Sequence, residues 1–385
     1  MGPKAIMNSR LLWTGLFCCL IHFTNGQKTE TIFDRKEHLH EEVLPVPGIA
    51  RLEESLGITG RYEWVRGVNL WVAKQGEGIP LVLVSGGPGT SHHYFHPHFR
   101  EATKFSEVIF YDLRGVGLSD YVSGKEGYSI DQAVEDLDAL REKLGYEKWA
   151  VLGLSFGGVL TQLYALKYPE RIAGMILLSS ALPMSLDIGL GARQYDFLSE
   201  AERKRIGEIY SIAGQRVIPV HSDQVNPELQ KKMLFNAFRN GDWKRRHIKR
   251  WTDEDIAMYA RYEFVHDKGY YQAMLQDYFE YDLKGLFKSC PVPTLIIEGK
   301  WDLAYGEQKA EIMFDQFQNA EREFWEDTGH LAFEDEPERF MKTLRQFLDS
   351  LPEVSPSEIQ QWKNTFSAKD YRKPNHLQRE FLRRR

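Results

Sequence analysis

Cysteine is scarce in this sequence. Three cysteines occur among 385 residues, and two of them, Cys18 and Cys19, lie in an apolar N-terminal segment. If that segment is removed, only Cys290 is left, which excludes a disulfide within the mature chain. A chain without disulfides needs a large hydrophobic core, and residues 27–385 are enough to build one. Cys290 stands in an apolar stretch before a proline, which predicts a packed thiol.

Excess positive charge and long apolar runs are also absent. The net charge is −6, from 49 basic and 55 acidic residues, which excludes a globally basic nucleic-acid-binding protein. Beyond the N-terminus, no apolar run reaches the roughly 18 residues that a membrane span requires, so a polytopic membrane protein is excluded. The sequence also lacks a dinucleotide-binding fingerprint and a phosphate-binding P-loop, and we expect no cofactor.

Residues 1–26 have the pattern of a secretory signal peptide. Lys4 and Arg10 provide a basic start, residues 11–23 are apolar, and small residues follow. This pattern predicts cleavage before Gln27 and a protein that is secreted or lies in the lumen of the secretory pathway. A single membrane anchor is the alternative, but the apolar core is short for a span. After cleavage we expect no stable membrane insertion.

Apolar runs and helical periodicities alternate between about residue 62 and residue 350. Continuous apolar strands separated by amphipathic helices predict an α/β fold, with a mostly parallel sheet and helices on both faces. The predicted strands are residues 81–84, 108–111, 149–154, 172–178 and 295–297. Predicted helices begin after Ser129, which is followed by Gln132 in a capping-box pattern, and near Gly157; a third includes Phe340 and Phe347.

The alternation defines the expected domain organisation. Residues 27–182 and 289–350 form the predicted core. Residues 183–288 are rich in helix formers and aromatic residues, which predicts a helical cap inserted between two strands. Residues 351–385 form a basic tail with few apolar residues, which we expect to be mobile or loosely docked.

Residues 153–158, with the sequence GLSFGG, join a predicted strand directly to a predicted helix. This is the context of a nucleophile elbow, in which a tight turn lifts Ser155 above the edge of the sheet. Glycines two residues to either side avoid the clashes that a Cβ would cause in so sharp a turn. Ser155 is therefore the predicted nucleophile.

A serine nucleophile needs a base, and the base needs a carboxylate that orients it. Asp302 follows a predicted strand, and His330 follows the strand-like residues 323–325, so the chain order is serine, acid, histidine. We assign Asp302 as the acid and His330 as the base. Glu298 and Asp327 are rival acids, but Glu298 lies inside the predicted strand and Asp327 precedes the turn.

Residues 85–89, with the sequence SGGPG, follow an early strand and can present backbone N–H groups to an oxyanion. By position, the predicted donors are the N–H groups of Gly87 and of Phe156. The next segment contains four histidines. No cysteine, aspartate or glutamate completes a metal-ligand set there, so we expect solvated or supporting side chains. These histidines are His92, His93, His96 and His98.

Together the SGGPG loop, the segment DLRGVGLSD at residues 112–120, the elbow, Asp302 and His330 resemble the proline iminopeptidase family of α/β-hydrolases. The resemblance covers about residues 62–350. It implies an α/β-hydrolase fold with a helical cap, and a serine hydrolase that removes an N-terminal residue, often proline, from a peptide or amide. The loop begins with Ser85 where the family usually has histidine, which changes the wall of the pocket.

The resemblance also implies that carboxylates of the cap hold the free amino group of the substrate. The acids that could do so are Glu263, Asp277 and Glu280. The fold leaves other activities open, because the pocket determines the substrate. The alternatives are an esterase or lactonase, a hydrolase of C–C bonds, and a non-catalytic binding protein on the same scaffold. The expected partner is a small peptide, amide or ester substrate, and the sequence does not predict the oligomeric state.

Overall fold

A computed structural model of the protein describes residues 59–122, 127–181, 269–300, 302 and 306–372. Within this part, eight strands form one sheet in the order β1-β2-β4-β3-β5-β6-β7-β8. The strands are β1 (Gly60–Val65), β2 (Val68–Gln75), β3 (Ile79–Val84), β4 (Ser106–Tyr111), β5 (Trp149–Leu154), β6 (Ile172–Leu178), β7 (Thr294–Gly299) and β8 (Glu321–Trp325). Strand β2 runs antiparallel to β1 and β4, and the other pairs are parallel. The predicted α/β fold with a mostly parallel sheet is confirmed.

Nine α-helices accompany the strands in the described residues. They are α1 (His96–Phe99), α2 (Ile130–Leu144), α3 (Phe156–Lys167), α4 (Tyr270–Tyr278), α5 (Gly306–Gln316), α6 (Ala332–Asp335), α7 (Pro337–Asp349), α8 (Pro356–Lys363) and α9 (Ala368–Tyr371). Short 3₁₀ turns occur at His92–Tyr94, Ala102–Lys104 and Pro169–Arg171. The predicted helices after Ser129 and near Gly157 are α2 and α3.

Hydrophobic residues cover both faces of the sheet, because alternate residues of each strand point to opposite sides. On one face, Ile296 of β7 packs in a cluster with side chains of α2, α3 and α5. On the other, Leu295 and Ile297 pack with α7 and with residues near α1. Strands β5 and β7 are buried along their whole length. Loops at the carboxyl ends of these buried strands are therefore held in fixed positions, where they can form a functional site.

Helix α2 begins and ends as its sequence predicts. The Ser129 hydroxyl accepts a hydrogen bond from the backbone N–H of Gln132 at 3.1 Å, which satisfies one of the free N–H groups of the first turn. Gly145 closes the helix with φ +83°, in the left-handed region that glycine adopts readily. Cys290 is buried, as expected for a packed thiol, and burial raises its pKa to about 12.

The tail after residue 350 packs more closely against the rest of the protein than we expected. Helices α8 and α9 pack against the body, and the Trp362 side chain is only 2% exposed. Its indole N–H donates to the Leu286 carbonyl at 2.9 Å, and its ring lies 5.8 Å from that of Phe287. The expectation of a mobile or loosely docked tail is wrong as far as Arg372, because Trp362 anchors the segment in the hydrophobic core.

Several predicted segments lie outside the described residues. These are the signal peptide at 1–26, most of the predicted cap at 183–288, and the end of the tail. In the part of the chain that the structure does describe, no helix has the length and apolar character needed to cross a membrane.

Candidate active site

The nucleophile elbow has the strained backbone that its sequence predicts. Ser155 stands between β5 and α3 with φ +54° and ψ −117°. A residue other than glycine rarely adopts this backbone conformation, which persists only where neighbouring groups enforce it. Here the Ser155 N–H donates to the Leu178 carbonyl at 3.0 Å, and its carbonyl accepts from the N–H groups of Gly158 at 3.0 Å and Ala181 at 2.8 Å. The end of β6 therefore fixes the turn.

Close packing explains the glycine at position 157. A Cβ on Gly157 would overlap the backbone carbonyls of Val84 and Ser85. Backbone atoms cannot move aside as a flexible side chain can, so this position accepts only glycine without displacing the end of β3. The elbow and the SGGPG loop are consequently packed backbone to backbone.

The SGGPG loop lies directly over the serine. A Cβ built on Gly86 would be 3.0 Å from the Cβ and 3.6 Å from the Oγ of Ser155. Within the loop segment, the Ser85 hydroxyl donates to the Thr90 carbonyl at 2.6 Å, and the Thr90 N–H donates to the Gly86 carbonyl at 3.3 Å. These bonds hold the loop closed on itself beside the nucleophile.

The two predicted oxyanion donors lie in this region. Gly87 has φ +111°, which places its peptide in a conformation that other residues avoid. Phe156 is the first residue of α3, so no carbonyl of the helix can accept its backbone N–H. The helix N-terminus also favours negative charge. The assignment of both groups to an oxyanion remains a prediction.

Asp302 and His330 are joined by a hydrogen bond. The His330 Nδ1 lies 3.0 Å from the Asp302 Oδ2, and both side chains are buried. The Asp302 N–H donates to the Gly299 carbonyl at 3.1 Å, which turns the chain tightly after β7. With Nδ1 facing the carboxylate, Nε2 is the ring nitrogen that a hydroxyl would meet.

Two further contacts position the loop that carries His330. The Gly329 N–H donates to the Asp335 carboxylate at 2.7 Å, so helix α6 holds the residue before the histidine. Gly299 packs against the carbonyls of Thr328 and Gly329 so closely that a Cβ would collide with them. The β7 turn and the histidine loop are thus packed together.

The rival acids have other surroundings. Asp327 is exposed. Glu298 is buried within β7, and its carboxylate contacts the ammonium group of Lys309 in α5. Among the three acids considered from the sequence, Asp302 is the one whose hydrogen bond to His330 the structure displays.

The structure decides between the two alternatives expected for the histidines after the glycine loop. His92, His93 and His96 are 1%, 3% and 2% exposed, so solvated side chains are wrong for these three and the alternative of supporting side chains is left. These side chains are buried because His92 has a partner further along the sequence. The His92 Nδ1 lies 2.7 Å from the Asp112 Oδ2, and its ring stacks on Trp71 at 3.9 Å.

Asp112 connects this cluster to the loop after β4. Its carboxylate also accepts the backbone N–H groups of His92 and Leu118, both at 2.8 Å. Burial by itself would raise the pKa of Asp112, but the contact with His92 holds it below the ordinary value. The described residues contain no group of three or more histidine, cysteine, aspartate or glutamate side chains placed to hold a metal ion.

The acids considered as amine ligands have different surroundings. Glu263 lies outside the described residues. The Asp277 carboxylate accepts the backbone N–H of Ile130, the first residue of α2, at 2.7 Å, and lies 3.7 Å from the Arg372 guanidinium. Burial raises the pKa of Asp277, and Glu280 adds to the rise. Glu280 itself is half-buried. A role in substrate binding remains a prediction for all three.

One neighbour of the elbow was not singled out from the sequence. The ring of Tyr278, at the end of α4, lies 6.1 Å from the ring of Phe156. The sequence offered only a general signal, since Tyr278 is one of many aromatic residues in the predicted cap. The described end of the predicted cap therefore lies next to Phe156, the residue that follows the nucleophile Ser155.

Comparison with known proteins agrees with this geometry. The sequence model of the alpha/beta hydrolase fold matches residues 79–337. A proline iminopeptidase of Lactobacillus helveticus is 30% identical over 283 residues, which cover 72% of this chain and 92% of the relative. A proline iminopeptidase of Saccharolobus solfataricus is 27% identical over 301 residues, with 77% and 94% covered.

Solved structures show the same fold. An alpha/beta fold family hydrolase from Bacillus anthracis superimposes with a TM-score of 0.58 at 20% identity, over 77% of this chain and 99% of that one. The strand order and the turn at Ser155 are those of a hydrolase of this class. The chain belongs to the proline iminopeptidase family of α/β-hydrolases.

Proposed function

We propose that this hydrolase releases an N-terminal residue, with proline as the first candidate, from small peptides or amides through an acyl-enzyme on Ser155. The observation that carries the proposal is the Asp302–His330 hydrogen bond at the same sheet edge as the strained serine. The likeness to proline iminopeptidases supports the substrate class. The predicted signal peptide supports a secreted or luminal protein.

The first half of the proposed reaction forms the acyl-enzyme. The Ser155 Oγ attacks the carbonyl carbon of the N-terminal residue, and His330 accepts the hydroxyl proton at Nε2. Asp302 stabilises the resulting imidazolium and keeps the ring oriented. The N–H groups of Gly87 and Phe156 bind the oxyanion. The C–N bond then breaks as His330 returns the proton to the leaving amine, which departs as the shortened peptide.

The second half regenerates the enzyme. His330 takes a proton from a water molecule, which attacks the acyl carbon, and the Ser155 oxygen leaves and recovers a proton from the imidazolium. The free N-terminal residue departs with its new carboxylate. Water thus supplies one hydroxyl group and one proton, and the reaction consumes no other reagent.

Labelling with a fluorophosphonate tests the nucleophile independently of the substrate. We expect the probe to modify Ser155, and we expect S155A to lose both labelling and hydrolysis, the latter by about a million-fold as for other serine triads. S357A, at an exposed serine of α8, is the matched control and should behave as wild type. A folded wild-type protein that is not labelled would support a non-catalytic binding protein instead.

A substrate panel tests the leaving residue. We expect prolyl and other aminoacyl arylamides with a free amine to be hydrolysed, and their N-acetylated forms to be inert. The reason is that losing a charged hydrogen bond in a desolvated pocket costs about 2–5 kcal/mol, or at least about 30-fold in kcat/KM. Equal turnover of N-blocked amides or of simple esters would refute the aminopeptidase activity and favour an esterase with the same nucleophile.

A further inference from the structure

The proposed reaction does not use the segment DLRGVGLSD at residues 112–120, although this segment lies close to the candidate site. Ser85, Asp112 and Ser155 are each the first residue after a strand, namely β3, β4 and β5. These strands are adjacent and parallel, in the order β4-β3-β5. Because parallel strands end at the same edge of a sheet, the three residues lie side by side along the carboxyl edge.

The Asp112 carboxylate is fully buried, and both of its oxygens have partners. The Oδ1 atom accepts the backbone N–H of His92 at 2.8 Å. The Oδ2 atom accepts the backbone N–H of Leu118 at 2.8 Å and lies 2.7 Å from the His92 Nδ1. A Cβ on Gly117 would overlap the same carboxylate, which leaves it no room to move. Asp112 therefore fastens the backbone of His92 to the end of β4.

The SGGPG loop is closed at Thr90. The Thr90 carbonyl accepts the Ser85 hydroxyl at 2.6 Å, and the Thr90 N–H donates to the Gly86 carbonyl at 3.3 Å. Gly87, the predicted oxyanion donor, lies inside this turn, and a Cβ built on it would be 3.0 Å from the Thr90 nitrogen. Since His92 is two residues further along the chain, fixing His92 also limits the movement of Thr90.

We propose that Asp112 and Ser85 are positioning residues that hold the SGGPG loop, and with it the N–H of Gly87, in place over Ser155. Ser85 acts within the loop, and Asp112 acts from the neighbouring strand. An oxyanion donor is effective because it is oriented before the reaction begins, and a misplacement of about 1 Å can cost about 100-fold in rate. This inference rests on the proposed function, because it requires an oxyanion to form beside this loop.

The variant D112N keeps the size of the side chain but cannot keep all of its hydrogen bonds. A carboxylate accepts at both oxygens, whereas an amide has one acceptor oxygen and one donor NH2 group. In one orientation the NH2 group meets the N–H of Leu118, and in the other it meets the N–H of His92. One backbone donor therefore loses its acceptor in either case, and we expect the loop to shift.

The test is the kinetics of fluorophosphonate labelling at Ser155, measured as the limiting rate at saturating probe and the probe concentration that gives half of that rate. We expect D112N to lower the limiting rate by about 10- to 100-fold. S85A should lower it by about 10-fold, because the bond between Thr90 and Gly86 remains. The half-saturating concentration should not change, because an interaction made only in the transition state does not affect binding of the unreacted probe.

Two other aspartates provide matched controls. A single oxygen of Asp120, in the same segment, accepts both the N–H and the side-chain amide of Asn69. An amide oxygen can replace it, so D120N should be labelled like wild type. Asp136 is 2% exposed and binds Arg114 through both oxygens. D136N should lower the free energy of unfolding without changing the limiting rate, which separates loss of stability from displacement of the loop.

The outcomes separate this inference from the proposed function. Wild-type protein that is not labelled at Ser155 would overturn the proposed nucleophile. Labelling of wild type, together with an unchanged limiting rate in folded D112N or S85A, would overturn the positioning role alone. A change confined to the half-saturating concentration would also overturn it, as would a D136N variant slowed as much as D112N. If circular dichroism shows that D112N does not fold, S85A decides, because it removes a single hydroxyl group from the closed loop.

Discussion

Replacing His96 with phenylalanine should stabilise the protein, and by more at acidic pH. His96 is 2% exposed, and within the described residues neither of its ring nitrogens has a hydrogen-bond partner. A buried polar group without a partner costs about 1–3 kcal/mol. The ring meets Phe110 edge-on at 4.4 Å, so an aromatic replacement suits the site. At pH 7.5 we expect H96F to gain about 1–3 kcal/mol in free energy of unfolding, less any cost of the larger ring.

The pH dependence follows from the direction of the pKa shift. Burial lowers the pKa of His96 well below 6.5, and the nearby His92 and His93 lower it further. The folded state therefore binds fewer protons than the unfolded state, and wild-type stability falls as the pH drops below about 6.5. The loss approaches about 1.4 kcal/mol for each pH unit until the folded-state pKa is reached. H96F should lack this contribution.

Urea unfolding at pH 7.5, 6.5 and 5.5 measures both effects. The advantage of H96F over wild type should grow by about 1 kcal/mol between pH 6.5 and pH 5.5. F110L is the control, because it changes the packing of the same cluster without a titrating group, and its cost should be equal at each pH. An advantage of H96F that stays constant over this range would refute the argument, whatever its size.

Three other changes have defined outcomes. G157A should slow fluorophosphonate labelling by about 100-fold or more, because its Cβ displaces the loop that supplies the predicted oxyanion donors. D277N keeps an amide oxygen for the N–H of Ile130 but removes the charge that would hold an ammonium group, so the KM of a free-amine substrate should rise about 30-fold or more; an unchanged KM would show that Asp277 is not the amine ligand. W362A should lower the free energy of unfolding by about 3–5 kcal/mol in urea titrations, whereas Q360A, exposed on the same helix, should cost little.

The sequence predicted the parts of the fold whose signals are local. Strands β3 to β7 are continuous apolar runs because both faces of a parallel sheet are covered. The elbow could be predicted because strand, turn and helix are adjacent in the chain. Strands β1 and β2 were not assigned, since β1 is an edge strand whose Tyr62 and Trp64 are exposed, and its residues do not form an apolar run.

The features that the sequence did not reveal depend on partners far along the chain. His92 is buried because it meets Asp112 and stacks on Trp71, which no local pattern indicates. Lys309 looks like an ordinary surface lysine of a helix until β7 places Glu298 beneath it. Trp362 is one of few apolar residues in a polar tail, and only the folded chain shows that its side chain is buried.

The pairing of β6 with β7 bears on how this architecture can vary. Met175 lies opposite Thr294, so neighbouring strands of one sheet are joined by more than a hundred residues of chain. Closing a flexible connection costs only about 0.6 kcal/mol more each time its length doubles. Insertions and deletions between these strands are therefore nearly neutral for the sheet, and descendants of one scaffold can change the length of this connection while the strands that carry Ser155, Asp302 and His330 keep their order.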